Sequence, residues 1–158
     1  MAAIERTSDG DFMLRLSPEE RDVLRSLPTQ LIEILGTDDP ALRRLRPPAH
    51  PDDPEMETEY RELVGGELDH QRRRALEVMA STIDAERLDE EQITAWLTSL
   101  NDLRLVLGTR LDVTEDTYDE GIPERDPRAP AFAIYLYLGW LEEQVVAALA
   151  ASLPPAPS

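Results

Sequence analysis

The sequence predicts a mainly α protein, a five- or six-helix bundle with a small N-terminal β-hairpin. Three observations predict it. An Asp-Gly pair lies between two short apolar runs at the N-terminus, which is a hairpin signal. Past residue 17 the chain shows apolar residues at helical spacing, or loop chemistry. Helix starts are written out as Ser17 before Pro18, Asp39 before Pro40, Asp53 before Pro54, and Asp89 three residues ahead of Gln92.

Taken in order, "AIER" and "FMLRL" flank "TSDGD" and form the hairpin. "SPEE" opens the first helix, with Glu20 completing a capping box on Ser17. Val23, Leu24, Leu27, Leu31, Ile34 and Leu35 give it an apolar side, Gly36 stops it, and Pro28 kinks or splits it. A short turn runs from Asp39 to Leu45, and Pro47, Pro48 and Pro51 make a stiff connector. The second "DDP" starts a helix carrying Met56, Tyr60, Leu63 and Val64, which Gly65 and Gly66 interrupt. A helix over about 67–84 follows, then one over about 90–113, then an acidic loop, then a last helix over about 130–152. We read residues 1–153 as one helical domain and 154–158 as a disordered tail.

Composition narrows the function. The chain has 158 residues, 41% hydrophobic and 31% charged, and it can bury about two thirds of its unfolded surface. It has no cysteine, which excludes disulfides, thiol nucleophiles and thiolate metal sites. It has no lysine either, so a Walker-type phosphate loop and Schiff-base chemistry are excluded. A net charge of −17 argues against direct nucleic-acid binding and against anionic membranes, and favours a basic protein surface as partner. No hydrophobic signal core opens the chain, and its longest apolar run stops at Glu142, short of a membrane span. A cytoplasmic location is the expectation.

On a helical wheel of the 90–113 segment, Ile93, Trp96, Leu97, Leu100, Leu103, Leu107 and Leu111 share one side, and Arg104 falls among them. Asp102 points the opposite way and is expected in solvent. Asn101 and Arg110 lie at opposite edges, and Gly108 offers a place for another helix to come close. A guanidinium on an apolar face needs a carboxylate. Glu142 lies within the stripe Ile134, Leu138, Leu141, Val145 and Leu149 of the last helix, so a structural Arg104–Glu142 ion pair is expected. Glu57 and Glu59 are the alternatives. The competing reading is a small-anion or metabolite pocket built on Arg104 and Asn101.

Other patterns carry less. Glu67 and His70 match Glu-x-x-His, half of a di-iron ligand set, and no second such pair exists, so no metal and no cofactor is expected. The acidic residues between Asp112 and Asp126 lack the spacing of an EF-hand and read as solvated. Arg72, Arg73 and Arg74, like Arg43, Arg44 and Arg46, are local positive clusters that could meet an acidic partner or nucleic acid, though internal carboxylates are expected to absorb them. The last helix is apolar nearly all round at its start, so burial within the monomer is the first expectation, while Phe132, Leu136 and Trp140, which lie off its main stripe, keep a homodimer or partner interface open. No nucleophile–base–orienter set emerges, so no enzyme is expected.

The stretches "DDPALRRLRPPAHPDDPEMETEYREL", "WLTSLNDLRLVLGTRLDVTED" and "AIYLYLGWLEEQVVAAL" resemble an actinobacterial family of AosR-like oxidative stress regulators, long described only as a domain of unknown function. The resemblance runs from about residue 12 to 150. Family members tend to be encoded near a Clp protease adaptor and sulfur-transfer or cysteine-synthesis genes. The resemblance implies regulation of transcription through a protein partner such as a sigma factor. Thiol switching would need cysteines that this chain lacks, so it implies an interaction module without that switch. It implies no catalytic residues. We expect the contact region in the 38–61 segment, on Arg43, Arg44, Arg46, Asp52, Asp53 and Tyr60.

Overall fold

The computed structural model describes residues 2–37, 39–45, 53–60, 66–120 and 123–151. Strand β1 (Ile4–Arg6) pairs antiparallel with β2 (Phe12–Leu14), Ile4 opposite Leu14 and Arg6 opposite Phe12. Thr7 N donates to Asp11 O at 2.8 Å across the turn, and Gly10 takes φ +92°, a conformation open to glycine because it has no Cβ. A third strand, β3 (Arg87–Leu88), pairs with the free side of β2, Phe12 opposite Leu88. Helix or loop alone was expected past residue 17. Two residues are too short to show a period, so only the presence of β2 makes β3 a strand.

Seven α-helices lie among the described residues, and the first helix expected from the sequence is split into two of them. Helix α1 (Pro18–Arg25) and helix α2 (Leu27–Ile34) part at Ser26, because Pro28 fits only the first turn of a new helix. The Ser17–Glu20 capping box forms as written. A 3₁₀ turn (Pro40–Leu42) starts where Asp39 Oδ1 accepts from Ala41 N at 2.8 Å. Helix α3 (Pro54–Tyr60) starts on Asp53, whose Oδ1 accepts from Met56 N at 3.2 Å. Helix α4 (Gly66–Ser81) is followed by β3 and then by α5 (Glu90–Arg110), which opens on the Asp89–Gln92 capping box. Part of the expected acidic loop is helical: α6 (Glu115–Glu120) follows Thr114, whose hydroxyl accepts from Thr117 N at 3.3 Å. Helix α7 (Ala129–Ala150) closes the fold. The Pro47–Pro51 connector, Gly65 and the expected tail lie outside the described residues.

Helix α5 is the axis of the molecule. Its most extensive contacts are with α7 on one side and α4 on the other. Trp96, Ile93 and Leu100 of α5, Leu76 and Met79 of α4, and Leu138, Leu141 and Val145 of α7 are fully or almost fully buried in one cluster. Phe12, Leu14 and Leu88 seat the sheet on the same cluster. Trp96 Nε1 donates to Thr82 Oγ1 at 2.7 Å, so the indole is buried with its polar edge satisfied. A smaller cluster of Leu111, Val113, Phe132 and Tyr135 closes the C-terminal end of α5. Phe132, expected off the core stripe, is buried there.

One arginine ties the sheet to the helices. Arg21 Nη1 donates to Ile83 O at 2.6 Å and Ala85 O at 2.8 Å, and Nη2 to Leu14 O at 3.1 Å. These carbonyls sit in β2 and in the α4–β3 connection, and a five-donor guanidinium can serve several at once.

Helix α7 corrects one expectation. It has 22 residues and a mean hydropathy of 1.2 over its most apolar stretch, with acidic residues only at Glu142 and Glu143, so by length and composition it is long and apolar enough to cross a membrane. Glu142 does not end the apolar segment, because a helix tolerates one or two charges that find a partner or a wet face. In this fold one side of α7 lies against α5 and β1.

Candidate functional site

Arg104 and the residues around it occupy the α5–α7 seam. Arg104 Nη1 lies 3.3 Å from Glu142 Oε2, with the arginine side chain 38% and the glutamate 16% exposed. The guanidinium therefore sits at the edge of the apolar face rather than within it, as the wheel had placed it. Its Cζ lies 5.6 Å from the centre of the Tyr135 ring, a cation–π distance. Partial burial works against its charge, but Tyr135 and Glu142 outweigh this and hold it above the ordinary arginine range. Gly139 makes the room: a Cβ there would lie 3.3 Å from Arg104 Nε. Gly108 does the same lower down, where a Cβ would lie 3.0 Å from Tyr135 Cε2 and 3.2 Å from Arg44 Nη1.

A pocket of about 110 Å³ opens beside this pair, lined by Arg104, Tyr135, Leu136, Gly139, Trp140 and Glu143. Asn101 is exposed and does not line it. With Glu142 bonded to the arginine and Glu143 on the rim, two carboxylates oppose an anionic ligand. The volume is also well below that of ordinary small-molecule sites.

The outer face of α7 is the more prominent feature. At 100° per residue, Ala133, Leu136, Trp140, Glu143, Ala147 and Ala150 form one stripe, and all are exposed. Leu136 is 42% and Trp140 44% exposed, with Val146 at 50% on the flank. Tyr137 packs against Trp140 with ring centroids 5.9 Å apart, and its hydroxyl donates to Glu20 Oε2 at 2.7 Å. Burial and that acceptor push the Tyr137 phenol up, so it stays a neutral donor. The tryptophan is thus braced from below while its outer edge is open.

The remaining predicted residues are scattered. Arg43 is exposed; Arg44 Nη2 donates to Val113 O at 3.3 Å and so serves the fold. Asp53 is a helix cap. Arg46, Asp52, His50 and the side chains of Glu57, Tyr60 and Glu67 lie outside the described residues. Among the described residues no group of three or more metal-ligating side chains comes together.

Asp102 is a correction. It was expected in solvent, yet it is 5% exposed, because α4 covers the side of α5 opposite α7. Burial pushes its carboxyl up to about 6, and Arg72, whose Nε is 3.5 Å from Oδ2, offsets this in part.

Against this geometry, the sequence matches a family model over residues 1–149, described as a domain of unknown function, DUF2017. The chain belongs to the DUF2017 family. This DUF2017 protein is also 30% identical over 132 residues to a Mycobacterium leprae protein bearing the provisional name oxidative stress regulator AosR. That match covers 73% of this chain and 60% of the relative, so the DUF2017 chain spans less than two thirds of the relative's length. No solved structure matches the chain.

Proposed function

We propose that this is a non-enzymatic, cytoplasmic regulatory protein linked to the oxidative stress response, which acts by binding another protein through the outer face of α7. The observation that carries the reading is the exposed Leu136–Trp140 stripe on a helix whose other side is core. Exposed aromatic and aliphatic side chains at helical spacing are the usual anchors of a protein interface. The similarity to a protein named as an oxidative stress regulator supports the regulatory part.

The partner is basic. A chain of net charge −17 attracts a positive surface, and Glu143 stands in the middle of the stripe to meet it. A transcription component such as a sigma factor is the reading's specific form. With no cysteine, this chain contributes no thiol to an oxidation switch.

The experiment is a pull-down with the tagged full chain from an actinobacterial lysate, with and without oxidant, beside the double variant Leu136→Glu, Trp140→Glu. The expected result is a stoichiometric transcription component, equally captured under both conditions and lost with the variant, whose melting temperature stays within a few degrees of the parent. An undiminished partner on the variant overturns the assignment to α7. Capture of no partner, with self-association by sedimentation instead, makes the stripe a homodimer interface and overturns the basic-partner reading.

A further inference from the structure

Helix α7 carries two seams of coiled-coil spacing. On its buried side Ile134, Leu138, Leu141, Val145 and Ala148 follow one another at intervals of four and three residues, and they pack in the core. On its outer side Ala133, Leu136, Trp140, Glu143, Ala147 and Ala150 do the same at three and four, and all are exposed. Alternating steps of three and four are the a/d spacing by which one helix packs on another. The outer seam keeps it over about 26 Å of helix at 1.5 Å per residue. Its two ends are alanines, low enough for a second backbone to come close.

The middle of the outer seam holds a socket. Leu136, Gly139, Trp140 and Glu143 stand at i, i+3, i+4 and i+7, the four corners of the hole into which a facing helix sets one side chain. These four line the pocket of about 110 Å³ beside the Arg104–Glu142 pair, together with Arg104 and Tyr135. Gly139 lets the Arg104 side chain lie close against α7, and the hole stays open beside it. A cavity of about 150 Å³ is enough for benzene, so this one suits a single aliphatic side chain. Its lining asks for no counter-ion, because the Arg104 charge is met by Glu142 at 3.3 Å and by the Tyr135 ring. Glu143 opposes an acidic side chain at the rim and attracts a basic one beside it.

We propose that an amphipathic helix of the partner covers the outer seam of α7, setting a leucine-sized side chain into the Gly139 socket and a basic residue against Glu143. This rests on the reading of α7 as the binding face and names what lies on it. An extended segment would not use the three-and-four spacing, whereas a helix meets it along its whole length. A second copy of this chain is the poorer cover. It would bring its own Glu143 into the same seam and add a second net charge of −17.

The test uses the tagged full chain with the photo-cross-linker p-benzoylphenylalanine in place of Ala147, which lies on the seam but outside the socket. It is irradiated in the actinobacterial lysate, and the joined peptide is sequenced by mass spectrometry. The expected result is one partner segment with apolar residues at intervals of three and four and an arginine or lysine one turn from one of them. A synthetic peptide of that segment is expected to become helical on the parent chain by circular dichroism. It is expected to bind at least about tenfold more weakly to Gly139→Leu, which fills the socket, and to Glu143→Arg, which reverses the rim charge. Both variants are expected to melt within a few degrees of the parent. A cross-linked segment without that spacing, or equal binding to both variants, overturns the helix and its socket while α7 remains the binding face. A cross-link to α7 of a second copy overturns the partner helix in favour of a homodimer. Capture of no partner, or of one that neither cross-links at Ala147 nor is lost with Leu136→Glu, Trp140→Glu, overturns the α7 reading and this inference with it.

Discussion

Asp102 and Arg104 stand two residues apart on α5, which turns them about 200° from one another. Their opposite placement is legible from the wheel. Which of them meets solvent is not, because that depends on which neighbours cover the helix. The arginine ends at a seam, 38% exposed, and the aspartate ends under α4. The buried carboxyl carries a pH signature. Its folded value of about 6 lies above the ordinary 3.8, so the folded state holds the proton more tightly than the unfolded chain does. Its stabilising contribution is then fully present below about pH 4 and is lost as the pH rises through about 6. Asp102→Asn stays neutral throughout. It is expected to be more stable than the parent by about 1–2 kcal/mol near pH 7, with the difference shrinking toward pH 4. Denaturant melts of both chains across that range measure it, and a constant difference would remove the carboxyl as its source.

At the scale of elements, the helix starts were the most legible part of the chain. A cap is a local device of three or four residues, so Ser17, Asp39, Asp53 and Asp89 each appear where their spacing puts them. The strand β3 and the helix α6 were not legible, since each is too short to impose a period. The α5–α7 seam makes a prediction through its two glycines. A methyl at Gly108 meets an aromatic ring carbon at 3.0 Å, packed within a cluster. A methyl at Gly139 meets the movable end of Arg104 at 3.3 Å. Alanine gains about 1 kcal/mol of helix propensity at either place. Gly139→Ala is therefore expected to be neutral or stabilising by up to about 1 kcal/mol, while displacing the guanidinium from Glu142. Gly108→Ala is expected to lose about 1–2 kcal/mol net, because overpacking outweighs the gain. Thermal melts of the two variants rank them, and the opposite order would contradict this seam.

For the whole molecule, charge is the term that no single pair reports. The exposed pairs Arg15–Glu5, Arg25–Asp84 and Arg87–Asp9 are screened by water and weaken further in salt. Against them stands a net charge of −17 whose self-repulsion also weakens in salt. Repulsion at that excess is the larger effect, so the melting temperature is expected to rise by several degrees between low salt and about 0.5 M sodium chloride, where the screening length is only a few ångströms. A fall would mean that the pairs outweigh the repulsion.

By itself the sequence determined the fold class, the helix starts, the need of Arg104 for a carboxylate and the absence of thiol and amine chemistry. These rest on local spacing and on residue types, and both are printed in the chain. Only the tertiary structure decided that α5 is covered on two sides, that Asp102 is buried, that β3 joins the sheet, and that Leu136 and Trp140 face outward. Each of those depends on which elements meet across long stretches of chain. A wheel drawn for one helix carries its own periodicity but not the number of neighbours that will cover it.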